Sequence, residues 1–217
     1  MRAGRVRYFE LAIAASVVLI SVASLVFAVY IGQRQTDVME RALAADHWPS
    51  MQYSSGNFDE EREAWRISLV FSNQGVGPAR VRYFVMRYRG ELLRGGVGGF
   101  LARCCGPEEL SEQERIRFVG GLFAQQRLRS VTDVVAPRVF APGERIEFAV
   151  LDRPPEDDAE ARALWLSVDR ARRDIAMEIC YCSVFDDCWT AVFGLDEETG
   201  LFSEDRREVE VCEAPTE

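Results

Sequence analysis

The chain contains no lysine, so all 26 of its basic residues are arginine. This absence removes Schiff-base chemistry, a phosphate-loop lysine and a lysine general base. Rich use of arginine, alanine and glycine points to GC-rich codons and a bacterial gene. Histidine is nearly absent too. A Ser-His-Asp or Cys-His site would have to use His47, which reads instead as a solvated or interfacial side chain. No C-x-x-C occurs, which weakens zinc-knuckle and thioredoxin-like readings. No D-x-D-x-D-G loop occurs, so Asp152, Glu156, Asp157, Asp158, Asp186 and Asp187 are calcium ligands by type only. They read as turn and helix-start residues. Abundant acids do not by themselves supply the two facing carboxylates that glycoside hydrolysis needs. Gly95-Gly96-Val97-Gly98-Gly99 lacks the strand-to-helix context and the lysine of a phosphate loop, and reads as a flexible loop. There is no internal repeat and no low-complexity tract.

The net charge is −9. Residues 1–31 hold three arginines and one glutamate, which leaves −11 on residues 32–217. So acidic a body excludes nucleic acid as the partner, because phosphate contacts need a basic footprint. It also argues against docking on anionic headgroups.

What is present is an unbroken apolar run over residues 11–31, LAIAASVVLISVASLVFAVYI. Roughly 20 apolar residues span a bilayer as a helix. Arg2, Arg5 and Arg7 precede the run, and positive flanks stay in the cytoplasm. The expected layout is a cytoplasmic N-terminus over residues 1–10 and a transmembrane helix over 11–31 that contacts the lipid bilayer. A helical stalk over 32–48 and an extracytoplasmic domain over 49–217 follow. The run exceeds a signal-peptide core, and Val26-Phe27-Ala28 is a poor cleavage site, so an uncleaved anchor is expected. Ser24, Ala28 and Gly32 repeat every four residues, a small-residue face suited to a homodimer.

Past Pro49 the pattern turns to strands. A short strand is expected over 51–54, then a turn at Ser55-Gly56-Asn57. Trp65, Ile67, Leu69 and Phe71 alternate with Arg66, Ser68 and Val70, one half-buried strand. Asn73, Gly75, Gly77 and Pro78 form a turn. In the next strand, 79–89, Val81, Tyr83 and Val85 are assigned one face and Arg80, Arg82 and Phe84 the other. Arg80, Arg82, Arg87 and Arg89 make a basic strip, which either pairs with acids on a neighbouring strand or receives an acidic partner. Residues 94–130 read as an insertion with one or two short helices, broken at Gly120-Gly121. A strand is expected over 131–140, weakened by Pro137, and another at Ile146-Phe148-Val150. The best helix covers 157–173, with acids first, arginines last, and Leu164, Trp165 and Val168 on one face. A hairpin surrounds Asp186-Asp187, and the last strand is expected over 208–212. This is mainly β, an antiparallel sandwich with one or two helical insertions.

The turn Asn73-x-Gly75-x-Gly77-Pro78-Ala79 after a single N-terminal anchor resembles a loose group of uncharacterised bacterial membrane-anchored proteins. Ala141-Pro142-Gly143-Glu144 before a strand and Tyr181-Cys182-Ser183-Val184-Phe185 with Cys188-Trp189 fit the same group. The resemblance implies an immunoglobulin-like sandwich facing the periplasm from the inner membrane, and no activity.

Six cysteines, Cys104, Cys105, Cys180, Cys182, Cys188 and Cys212, follow the apolar run. An even count outside the cytoplasm reads as disulfides. Cys182 and Cys188 flank the hairpin turn and are the first expected pair. Cys180 shares a face with Cys182 and can reach Cys212 or the Cys104-Cys105 pair. Adjacent cysteines seldom bridge each other, so Cys104 and Cys105 are expected to face different partners. The functional expectation is a non-enzymatic module that binds an envelope protein or supports envelope assembly, with no cofactor and no metal. The alternative is a thiol-based metal-binding or redox protein using Cys104, Cys105, Cys180, Cys182 and Cys188. A hydrolase ranks last.

Overall fold

The structure, a computed structural model, describes residues 2–196, 199 and 201–215, with side chains at all of these except 2–15, 17, 37, 40, 41 and 43–46. The chain divides into two units between Asp46 and His47.

The first unit is one 45-residue helix, α1 (Arg2–Asp46). Good helix formers in QRQTDVMERALAA, which has no Gly or Pro, carry it on past the apolar run and Gly32. Val18–Thr36 is long and apolar enough to cross a membrane, and no protein covers it. Leu19 (69%), Leu25 (67%) and Phe27 (66%) stand exposed. Ser24, Ala28 and Gly32 are exposed as well, and their spacing puts them on one face. The side chains of Arg2, Arg5, Arg7 and Ala12 lie outside the described residues.

The second unit holds two antiparallel sheets. One has the order β1 (Met51–Asp59), β2 (Ala64–Asn73), β7 (Arg145–Asp152), β5 (Ser130–Thr132). The other has the order β10 (Phe202–Val209), β9 (Cys188–Leu195), β8 (Ile175–Cys182), β3 (Ala79–Tyr88), β4 (Glu91–Leu92), with β6 (Arg138–Phe140) also on β3. Their inner faces meet through aromatic rings. Phe71 of β2 packs on Phe84 of β3 and Phe193 of β9 (5.5 and 6.0 Å), and Phe148 of β7 packs on Phe84 (5.4 Å). Edge-to-face pairs of this kind add about 0.5–1.5 kcal/mol each beyond area burial.

Several local expectations are corrected. Ser55-Gly56-Asn57 is not a turn: β1 runs through it with a register shift between Gly56 and Phe58. A bulge absorbs the extra residue without ending the strand. A second shift between Val81 and Tyr83 exchanges the faces of β3. Phe84, Met86 and Tyr88 therefore join Val81 in the core, and Tyr83 turns outward to Glu178. Residues 131–140 form two short strands in different sheets, β5 and β6, so this segment crosses from one sheet to the other. The last strand begins at Phe202, not at residue 208. It is mostly exposed, and so carries no apolar alternation to read.

The glycine-rich segment is not a loop. Gly96 opens α2 (Gly96–Cys105), and Gly95 before it takes a left-handed φ of 82°. Burial of Phe100 and Leu101 outweighs the weak helix propensity of glycine. Likewise α3 (Glu112–Ala124) continues through Gly120-Gly121. A reciprocal capping box between Ser111 and Glu114 starts it, and buried Val119 and Leu122 hold it. Residues 94–130 are thus no peripheral insertion, since they supply Phe100, Leu101, Val119, Leu122 and Leu128 to the core.

The helix α4 (Ala159–Ala171) matches expectation, with Leu164, Trp165 and Val168 buried. The Trp165 indole N–H donates to the Leu151 carbonyl (3.1 Å) and ties α4 to β7. Asp158 caps α4 by accepting from the Ala161 N–H, and receives two bonds from Arg127 at 2.8 and 2.7 Å. The Arg127 bonds and the Ala161 N–H hold the Asp158 carboxyl down from 3.8 to about 2. A depressed folded pKa gives stability that is full above the unfolded value and lost as pH falls through the folded one. Asp158→Asn keeps the cap and removes the charge. Its melting temperature should lie below wild type near neutral pH, with the gap closing between pH 4 and about pH 2. Thermal melts of both proteins across that window check this.

Candidate functional site

Asn73, at the end of β2, is fully buried and bonds three segments at once. Its Oδ1 accepts from the backbone N–H groups of Ser50 and Gly75, both at 3.0 Å. Its Nδ2 donates to the Gly77 carbonyl at 2.8 Å and is shared by those of Phe140 and Ala141 at 3.3 Å. Its own backbone pairs with Glu144 and Gly143. The entry segment 47–50, the Asn73–Pro78 turn and the Ala141–Glu144 turn therefore close on one amide. Gly75 and Gly77 allow this approach. A Cβ would lie 2.3 Å from the Trp48 carbonyl oxygen at Gly75, and 2.0 Å from that of His47 at Gly77. Pro78 then leads into buried Ala79 and β3. Glu144 closes the second turn by accepting from the Ala141 N–H, and Arg138 also donates to it. Both bonds hold its carboxyl below the usual range. His47 lies edge-on to Phe185 at 5.3 Å, a packing contact at the domain entry.

The six cysteines form three bridges. Cys182–Cys188 joins directly opposed residues of the β8–β9 hairpin, as expected. Cys180 pairs with Cys212, one of its two open partners. Ile179 and Tyr181 face the core, so the alternation of β8 places Cys180 and Cys182 on its outer face. Cys104 and Cys105 bridge each other, which corrects the expectation of different partners. Both end α2, and the other four cysteines pair among themselves on β8, β9 and the C-terminal segment. The sulfurs of Cys182, Cys188 and Cys212 all lie within 4.8 Å of one another. As bridges they are not the thiolates that ligate metals.

The four arginines of the strip face three acids of the same domain. Arg80 donates to the Ser183 carbonyl and pairs with Asp186, which Arg82 also approaches at 3.8 Å. Arg87 faces Glu178 at 3.7 Å and Arg89 faces Asp174 at 3.1 Å. Glu178 also accepts from the Tyr83 hydroxyl, and burial first, then this bond, raises the phenol pKa. Burial likewise pushes Tyr53 up to about 12, so it stays protonated in the core.

An open cavity of about 390 Å³ was not foreseen. Phe84, Met86, Val134, Val135 and Phe148 line it, and the glycines of early α2 form one wall. A Cβ on Gly96 or Gly98 would meet nothing within 4 Å. The face exchange of β3 and the crossing at residues 132–136 create this space, and neither has a sequence signal beyond the glycines themselves.

Asn73→Ala would remove the acceptor of the Ser50 and Gly75 N–H groups and the donor to the buried Gly77 carbonyl, while the Ala141 carbonyl keeps the Glu144 N–H. The expected loss is on the order of 3 kcal/mol of unfolding free energy, read by urea denaturation. Loop length ranks the bridges. Cys180–Cys212 spans 32 residues and Cys182–Cys188 spans 6. Replacing both cysteines of a pair by alanine should cost roughly 4 kcal/mol for the first and about 2 kcal/mol for the second in the chain-entropy account. No protein-family model, curated protein or solved structure matches this chain.

Proposed function

We propose that this chain is a single-pass protein of the bacterial inner membrane, with its N-terminus in the cytoplasm. Its periplasmic immunoglobulin-like sandwich binds an envelope protein rather than turning over a substrate. The observation that carries this reading is the pairing of all six cysteines in the unit that follows an uncovered apolar helix. Disulfides persist outside the cytoplasm. Two antiparallel sheets around one aromatic core support the sandwich reading. The contact surface is the cavity beside α2, which suits an apolar segment of the partner. Arg80, Arg87 and Arg89 of the strip each face an acid of the same domain, which favours the cavity over the strip. Within the bilayer, Ser24, Ala28 and Gly32 offer a face for pairing with a second copy.

A photo-crosslinking side chain at Val97 or Val134 in intact cells should give a discrete protein adduct, and one at Arg82 or Arg89 should not. Adducts from the strip alone, or from neither surface, would reject the assignment. A second reading, a thiol-based metal or redox protein, draws on the close sulfurs of Cys182, Cys188 and Cys212. Its metal-binding form requires free thiols, so purified protein with stoichiometric bound metal and unbridged cysteines would favour it.

A further inference from the structure

The two bridges on the outer face of β8 are not independent. The Cys182 sulfur lies 3.8 Å from that of Cys212, which is bonded to Cys180. That separation is van der Waals contact between sulfurs of different bridges. The Thr190 hydroxyl donates to the Cys180 sulfur at 3.4 Å, so a donor already faces one sulfur of the second bridge. Cys180 is itself fully buried. Cys188 and Cys212 border an open pocket of about 360 Å³ together with Arg82 and Glu210, which gives a reductant a way in.

We propose that Cys182–Cys188 and Cys180–Cys212 form a thiol–disulfide exchange site for an extracytoplasmic dithiol. One thiolate of the dithiol attacks the Cys188 sulfur, forming a mixed disulfide and expelling Cys182 as a thiolate. The second thiol of the reductant then closes on its own partner and releases Cys188 as a thiol. The reductant has lost two electrons and one bridge has gained them. The Cys182 thiolate next attacks the Cys212 sulfur. A Cys182–Cys212 bond forms, the Cys180–Cys212 bond breaks, and Cys180 leaves as a thiolate that takes a proton from water. This last step is redox-neutral. The Thr190 hydroxyl stabilises the departing charge, and stabilising the leaving thiolate speeds exchange. The site thus moves the attachment of the C-terminal segment by two residues along β8 in response to reduction at the hairpin.

The inference rests on the bridged, extracytoplasmic reading above, and the test separates the two. Two full-length variants reach the same third bridge from opposite sides. Cys188→Ser leaves a Cys182 thiol beside Cys212. Cys180→Ser leaves a Cys212 thiol beside Cys182. Cells are quenched in acid, thiols are alkylated, and chymotryptic cleavage after Tyr181 separates Cys180 from Cys182 for peptide mass mapping. The expected result is a Cys182–Cys212 peptide roughly tenfold or more above its level in unreduced wild type, as for an exchange constant near one. Its partner signature is a free thiol at Cys180 in the first variant and at Cys188 in the second. Its appearance in either folded variant supports the exchange site. If the free thiol stays at Cys182 in the first and at Cys212 in the second, the proposal is overturned. Free thiols at all four positions in untreated wild type would instead overturn the extracytoplasmic reading. If neither variant accumulates, wild type titrated with a dithiol and trapped in the same way decides by the same peptide.

Discussion

The fold depends on a buried amide. Asn73 satisfies backbone groups from three segments far apart in sequence, and its own side chain is closed to water. In a low-dielectric interior each of those bonds is stronger, and each unmade partner costs more. The constraint explains the two glycines, because only a residue without a Cβ lets the turn lie against the His47 and Trp48 backbone. It also places the start of the domain, since Ser50 is bonded before β1 begins. β2, β3, β6 and β7 all begin or end near this point, so the register of both sheets is referred to it.

From that origin the chain uses its helices as core, not as decoration. Ile67 and Leu69 of β2, Phe100 and Leu101 of α2, Ala149 and Leu151 of β7 and Val168 of α4 surround one small internal space. The crossing at residues 132–136 leaves a gap beside the glycines of α2, and this gap is the larger cavity. The same crossing that completes both sheets therefore opens the surface assigned to a partner.

The second sheet is supported on two sides by different chemistry. Its inner face carries Met177, Ile179, Tyr181 and Phe193. Its outer face is held by two bridges and by ion pairs with the arginines of β3. A sheet with one apolar face needs little else on the other, so sulfur there serves the C-terminal segment. Among the described residues that segment adds no buried hydrophobic side chain after Phe193, and a covalent tether replaces the burial it lacks.

How much was legible follows from the range of each signal. Composition and local period carried the apolar helix, the β-rich class, the capped helix α4 and the Cys182–Cys188 hairpin bridge, because each depends on residues within one or two turns of chain. The Asn73 turn was visible as a motif, but its role as a three-way clamp was not, since two of its partners lie 67 and 68 residues away. The glycines of α2 read as a loop because their propensity is local and the burial of Phe100 and Leu101 that overrides it is not. The bulge in β3 reversed the expected faces because one extra residue shifts a period of two. The Cys104–Cys105 bridge was set by which sulfurs the fold brings close. By itself the sequence determined the apolar N-terminal helix, the charge, the β-rich class and the residues able to bridge. Tertiary structure alone decided which sulfurs meet, which arginines are spent on acids and where a cavity opens, because those outcomes depend on long-range packing that no local pattern encodes.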